Sequence, residues 1–133
     1  MFATLHTQDT PQTIDRIIDV FPPEQQEQIR IQLASSLQGV VTQQLVPTAD
    51  GAGRCVACEV LIPTPAVRNL IREGKIHQIP SVIQTGSSHG MQSMDSALAT
   101  LVRANKITQE VAESRSSTPE ELRRLMGSMA LVA

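Results

Sequence analysis

The sequence predicts a mixed α/β fold, with short amphipathic helices, one antiparallel β-hairpin and a helical C-terminal lobe. Three observations carry this expectation. Apolar residues recur at three- and four-residue spacing in segments bounded by Pro, Gly and capping residues. Two β-rich runs flank the turn-forming stretch PTADGAG at residues 47–53. The chain has 133 residues, 41% of them hydrophobic, enough for one core of ordinary size.

Residues 2–5 fit the end of a buried strand. Thr10 and Pro11 open a helix in which Ile14, Ile17, Ile18 and Phe21 make an apolar stripe, and Pro22-Pro23 stops it. A second helix runs from Pro23 to about residue 37, with Ile29, Leu33 and Leu37 one turn apart, and Gly39 ends it. Residues 40–46 and 54–62 are the hairpin strands, joined by a loop of about seven residues. In the next helix Thr64 caps the first amides, Pro65 suits the first helical position and Gly74 suits the residue past the end. Val67, Leu70 and Ile71 bury one side of it, and Arg68 and Arg72 stand one turn apart on an exposed side. Like charges at that spacing cost a few tenths of a kcal/mol unless something anionic meets them, so the pair reads as a solvated basic face or as a partner contact.

Residues 75–84 supply Ile76, Ile79, Val82 and Ile83 as apolar contacts, with Pro80 capping or breaking a turn. Residues 91–105 form the clearest amphipathic helix, turning Met94, Leu98, Leu101 and Val102 inward. Thr108 starts a short helix. Thr118-Pro119-Glu120-Glu121 reads as a capping box for a last helix ending near Met126, followed by a frayed tail. Residues 114–117 are the candidate linker, which divides the chain into 1–115 and 116–133.

A net charge of −2 gives no basic footprint for nucleic acid, and two Phe with no Trp or Tyr provide no base-stacking platform. No apolar run of about 18 residues and no charged-then-apolar leader is present, so the expectation is a soluble, unexported chain without membrane insertion. Cys55 and Cys58 form a C-x-x-C, but in a strand residues three apart face opposite ways and no second pair completes a zinc site. They read as reduced structural cysteines, and no metal is expected. His77 and His89 have no acid at metal-ligand spacing and read as surface residues.

Residues 66–73, AVRNLIRE, resemble the helix motif of the type IV pilus retraction ATPases, usually AIRNLIRE, with Val67 the departure. FATLHT at residues 2–7, followed by TIDRIIDVFP at 13–22, is similar to that family's histidine box and the helix after it. Further matches at Gln25-Gln26, Leu33-Ala34, 41–45, 59–61 and 94–98 extend the resemblance to about Arg115. It implies the C-terminal portion of a RecA-like P-loop ATPase core, from a hexameric motor of pilus retraction that works with ATP and Mg2+. Such a motor is cytoplasmic, peripheral at the inner membrane through the base of the pilus machinery.

By the same resemblance His6 sits beside the nucleotide's terminal phosphate and reports its presence, with Thr7 offering a hydroxyl; the family's usual Asn after Thr7 is replaced by Gln8. Ala66, Val67, Arg68, Asn69, Leu70, Ile71, Arg72 and Glu73 form the retraction motif, its arginines serving transmission or partner contact. A P-loop needs a Gly-rich loop, a Lys on the phosphates and a Ser or Thr on Mg2+, and the nearest imitation, GSSHGM at 86–91, has no Lys. No strand ending in paired acids precedes His6 either. Without these Walker A and Walker B regions, neither turnover nor good nucleotide binding is expected of this chain alone, and Met1 stands where upstream sequence would run on. The alternatives are a non-catalytic interaction module, or a fragment of a related secretion ATPase, against which the arginine helix counts.

Overall fold

The computed structural model describes residues 4, 5 and 7–132, with side chains as far as Gly127. Its elements are α1 (Thr10–Asp19), α2 (Pro23–Ser36), β1 (Val40–Pro47), β2 (Arg54–Leu61), α3 (Pro65–Arg72), α4 (Ile79–Thr85), α5 (Met94–Arg103), α6 (Gln109–Arg115) and α7 (Pro119–Val132). Single 3₁₀ turns occupy Ile76–Gln78 and Ser87–His89. The chain divides into two compact units: one runs to Thr42 and resumes over Glu59–Gln92, and the other takes Gln43–Cys58 and everything from Ser93 on. The boundary expected near Arg115 therefore falls inside the second unit.

In the first unit α1 opens at Thr10 with Pro11 in its first turn, as the sequence predicts. Asp9 is the cap, its carboxyl accepting from the Gln12 amide at 2.9 Å. Thr10 itself is completely buried, as is the core of Ile14, Ile18, Ala34, Leu61, Val67, Ile71, Ile79 and Ile83. Helix α2 ends at Ser36, before Gly39, because Leu37 is already extended while its amide still bonds Leu33. Its one fully buried position is Ala34, small enough to let α3 approach closely. Thr64 caps α3, accepting from the Val67 amide, and Gly74 follows it at φ +72°, as its sequence predicts. The strand expected at residues 2–5 has no counterpart at Thr4 or Leu5, which are exposed and unpaired with any strand; Phe2 and Ala3 lie outside the described residues.

Strands β1 and β2 form a two-stranded antiparallel hairpin. Its loop, residues 48–53, is closed by the Thr48 amide on the Gly53 carbonyl at 3.0 Å, and Gly51 supplies the positive φ of the turn. The Asp50 carboxyl accepts from the Thr48 hydroxyl and the Ala52 amide, which hold it below the usual carboxylate range. Strict alternation buries Ala57, Glu59 and Leu61 on β2. On β1 it buries Thr42 and Val46. Counting back from the Thr48 and Gly53 pair sets Thr42 opposite Glu59, and Leu45 opposite Val56 on the outer face. Cys55 and Cys58 consequently face opposite ways, and the Cys55 thiol lies 3.7 Å from the Val46 carbonyl.

The second unit packs Ala97, Leu98, Ala99, Ile107, Ala112 and Leu122 together. Helix α5 begins at Met94 and not at Met91, because Ser93 takes the cap and Gln92 is drawn into a bridge with Val60 within the first unit. It ends through Asn105 in the left-handed conformation, with the Lys106 amide on the Leu101 carbonyl. The expected capping box of α7 is rearranged around the buried Asp95. Its two carboxyl oxygens accept from the Ser116 hydroxyl at 2.5 Å and from the Thr118 hydroxyl. Ser116 in turn accepts from the Thr118 amide, and Glu121 pairs with Arg124. The candidate linker is thus a fixed joint, and α7 continues through Gly127 to Val132 where a frayed tail is expected.

Two outcomes follow from the first unit. Gly86 is buried, and a Cβ there would stand 2.8 Å from the Met91 sulfur and 2.9 Å from the Val82 carbonyl oxygen. The backbone oxygen cannot swing aside, so Gly86→Ala is expected to cost about 1–3 kcal/mol of overpacking, read from the urea midpoint. On α1 the Asp15 carboxyl is held above the usual range, first by partial desolvation and then by Asp19 and Asp9, against the pull of Arg30. A carboxyl raised in the folded state opposes folding as pH climbs through its folded pKa, and is neutral in both states below the model-peptide value. Asp15→Asn should therefore stabilise slightly at pH 7, by no more than about 0.5 kcal/mol given solvent screening, with the gain vanishing below about pH 3.8.

Candidate functional site

Helix α3 carries the eight residues of the predicted motif, and the structure separates its two arginines. Val67 and Ile71 are buried, Leu70 is half-buried, and Ala66, Asn69, Arg72 and Glu73 are exposed. Arg68 does not share the exposed face expected of it. Its guanidinium crosses to α2 and donates to the Ala34 carbonyl, one of the last-turn carbonyls that has no amide partner within its own helix. A cation there also meets the negative end of the α2 dipole. Arg30 of α2 lies near the end of α3, its Nε 3.6 Å from where a Gly74 side chain would begin. The expected like-charge pair is resolved because Arg68 is spent on α2.

Arg72 remains on the surface. Its Nη1 donates to Asn69 Oδ1 at 2.6 Å, and Glu73 pairs with Lys75 at 3.2 Å. The outward face of α3 thus presents an Arg and an Asn held one turn apart, able to bind a carboxylate or a backbone carbonyl of a partner.

A second constellation surrounds the start of α1. His6 lies outside the described residues. Thr7 is half-buried, and its hydroxyl stands 2.6 Å from that of Thr13, which itself donates to the Asp9 carbonyl at 3.0 Å. Thr13 has one proton and uses it on Asp9, so Thr7 is the donor in the pair. In this arrangement Thr7 has no proton left for a phosphate oxygen. Glu59, buried in β2, accepts from the Thr10 amide at 3.0 Å. Sequence reading missed Glu59 as a site residue. Its only signal was a Glu at an inward position between Ala57 and Leu61, visible once the strand's alternation is assigned.

The glycine-rich imitation of a phosphate loop is closed on itself. The amides of Gly86, His89, Gly90 and Met91 all donate to carbonyls of the same segment or of α4. His77 and His89 are exposed, as their sequence predicts. Among the described residues no three His, Cys, Asp or Glu gather where a metal could bind, and no helix is long and apolar enough to cross a membrane.

Comparison with known proteins shows what the chain carrying this arrangement is similar to. No protein-family model matches the chain. It is 50% identical to a twitching motility protein of Neisseria gonorrhoeae over 92% of its own length and 33% of the relative's. It is 48% identical to the type IV pilus retraction ATPase PilT of Pseudomonas aeruginosa over 90% of its length and 35% of the relative's. A crystal structure of the pilus retraction motor PilT with bound ADP superposes with a TM-score of 0.78 at 46% identity, covering 90% of this chain and 33% of that one. The chain is homologous to the C-terminal part of the type IV pilus retraction ATPases. It spans about a third of the length of the curated relatives it matches. The fold is correspondingly that of a C-terminal portion of the PilT-type ATPase core, its hairpin and helices in place of a complete sheet.

Within this PilT-like framework the two arginines of the helix differ in a measurable way. Arg68→Ala leaves the Ala34 carbonyl without its charged donor in a half-buried setting and is expected to cost about 1–2 kcal/mol. Arg72→Ala removes only an exposed bond and should stay within about 0.5 kcal/mol of the parent. Chemical denaturation of the two variants checks both values.

Proposed function

We propose that this chain supplies the C-terminal part of a hexameric ATPase motor that retracts type IV pili. The observation that carries the reading is identity of 48–50% over nine-tenths of the chain with proteins named for twitching motility and pilus retraction. The ADP in the related motor structure supports ATP as the nucleotide of the whole motor, and phosphoryl transfer from it calls for Mg2+. In this reading His6 answers to the terminal phosphate, and the family's helix motif is divided in its labour. Val67, Leu70 and Ile71 seat the helix, Arg68 locks it to α2, and Ala66, Asn69, Arg72 and Glu73 face outward toward a neighbouring subunit or the cytoplasmic base of the pilus machinery. Thr7 joins the phosphate response only by giving up Thr13, so nucleotide state and the turn at the start of α1 are coupled.

The test is a chimera in which this chain replaces the matching segment of the P. aeruginosa motor. ATP turnover within about tenfold of the parent, together with restored twitching in a strain lacking the parent, is the expected result. Arg72→Ala in that chimera should lose twitching while keeping turnover within about threefold. A folded chimera that neither hydrolyses ATP nor supports twitching overturns the reading, and intact twitching with Arg72→Ala removes this residue from transmission.

A further inference from the structure

We infer that Glu59 is a positioning residue for the turn that carries Thr7. Its carboxyl projects from the inward face of β2 and takes the Thr10 amide, a bond that joins positions 49 residues apart in the chain. Helix α1 does not need this contact to begin. Asp9 already caps it through the Gln12 amide, and the Thr13 amide returns to the Asp9 carbonyl at 3.2 Å. What the second carboxyl adds is location, because Asp9 and its bonds travel with the helix whereas Glu59 belongs to the hairpin.

The turn moves as one piece. Thr13 bonds both the Asp9 carbonyl and the Thr7 hydroxyl, so fixing the amide at Thr10 fixes Thr7 three residues before it. Glu59 holds an inward position whose strand neighbours Ala57 and Leu61 are apolar, where an apolar side chain would pack without burying a carboxyl. The surroundings point the same way. Among the described residues Thr10 Oγ1 is buried without a hydrogen-bond partner, and so is Thr42 Oγ1, on the residue opposite Glu59 in the hairpin register. A local cluster with two unsatisfied hydroxyls and a buried carboxyl is not the arrangement that packing alone selects.

The meaning of this anchor for nucleotide response rests on the proposed motor function; the anchoring itself does not. Two measurements keep them apart. In the 133-residue chain, Glu59→Ala should speed amide exchange of residues 7–13 at least about tenfold relative to the amides of α3, and Glu59→Gln, which keeps an oxygen acceptor, should restore most of the protection. Thr13→Val, which cuts Thr7 loose without touching β2, should free residues 7–9 alone and serves if the alanine variant does not fold. In the chimera, Glu59→Ala should lower kcat about tenfold with KM within about threefold, and Glu59→Gln should recover it. Unchanged exchange, or exchange raised equally throughout the chain, overturns the anchoring. An unchanged kcat in an active chimera overturns its link to turnover. If the parent chimera is inactive while the exchange pattern holds, the motor reading fails and the anchoring stands.

Discussion

The contact on which the arginine helix depends is the guanidinium of Arg68 on the Ala34 carbonyl. Helix α2 ends without a glycine, and while the Gln38 side-chain amide reaches the exposed Ser36 carbonyl, the Ala34 carbonyl stands in a part-buried place where an unpaired acceptor is costly. Arg68 satisfies it, and the small Ala34 side chain lets α3 come near enough to do so. The same geometry turns Val67 and Ile71 into the core and Asn69 and Arg72 away from it. Arg30 of α2 lies beside Gly74, just past the end of α3. The outer face of α3 is oriented by the Arg68 contact.

Much of the fold was legible because it is decided locally. Thr64, Pro65 and Gly74 bracket α3 whatever surrounds it, and the hairpin follows from two β-rich runs around a turn-forming stretch. What escaped sequence reading is what depends on distant partners. Arg68 meets α2 34 residues earlier in the chain, Glu59 meets α1 49 residues earlier, and Asp95 reaches Ser116 and Thr118, 21 and 23 residues later. In the last case a helical capping signal was present and correctly marked a helix start, but a buried carboxyl outbid the local cap for the Thr118 hydroxyl. Gly127 misled in the opposite sense, since a glycine that reads as a stop is carried within α7.

The candidate site divides along the same line. The motif on α3 was found from its residues and from its resemblance, and its exposed half survives as a surface. The turn beside α1 was identified only through His6 and Thr7, while the residues that shape it, Thr13 and Glu59, carry no motif at all. Their importance lies in hydrogen-bond direction: a single proton on Thr13, already committed to Asp9, determines what Thr7 does.

The outer face of the hairpin has a consequence for the chain on its own. Leu45 and Val56 are about half exposed and stand across from each other, and among the described residues β1 is bonded to β2 alone. A strand with an open backbone edge and an apolar side facing water invites another strand to lie alongside it. The isolated chain is therefore expected to associate through this edge in concentrated solution, with the exposed Val41 and Leu45 of β1 and Val56 of β2 as the apolar contacts, whatever the stability of its core.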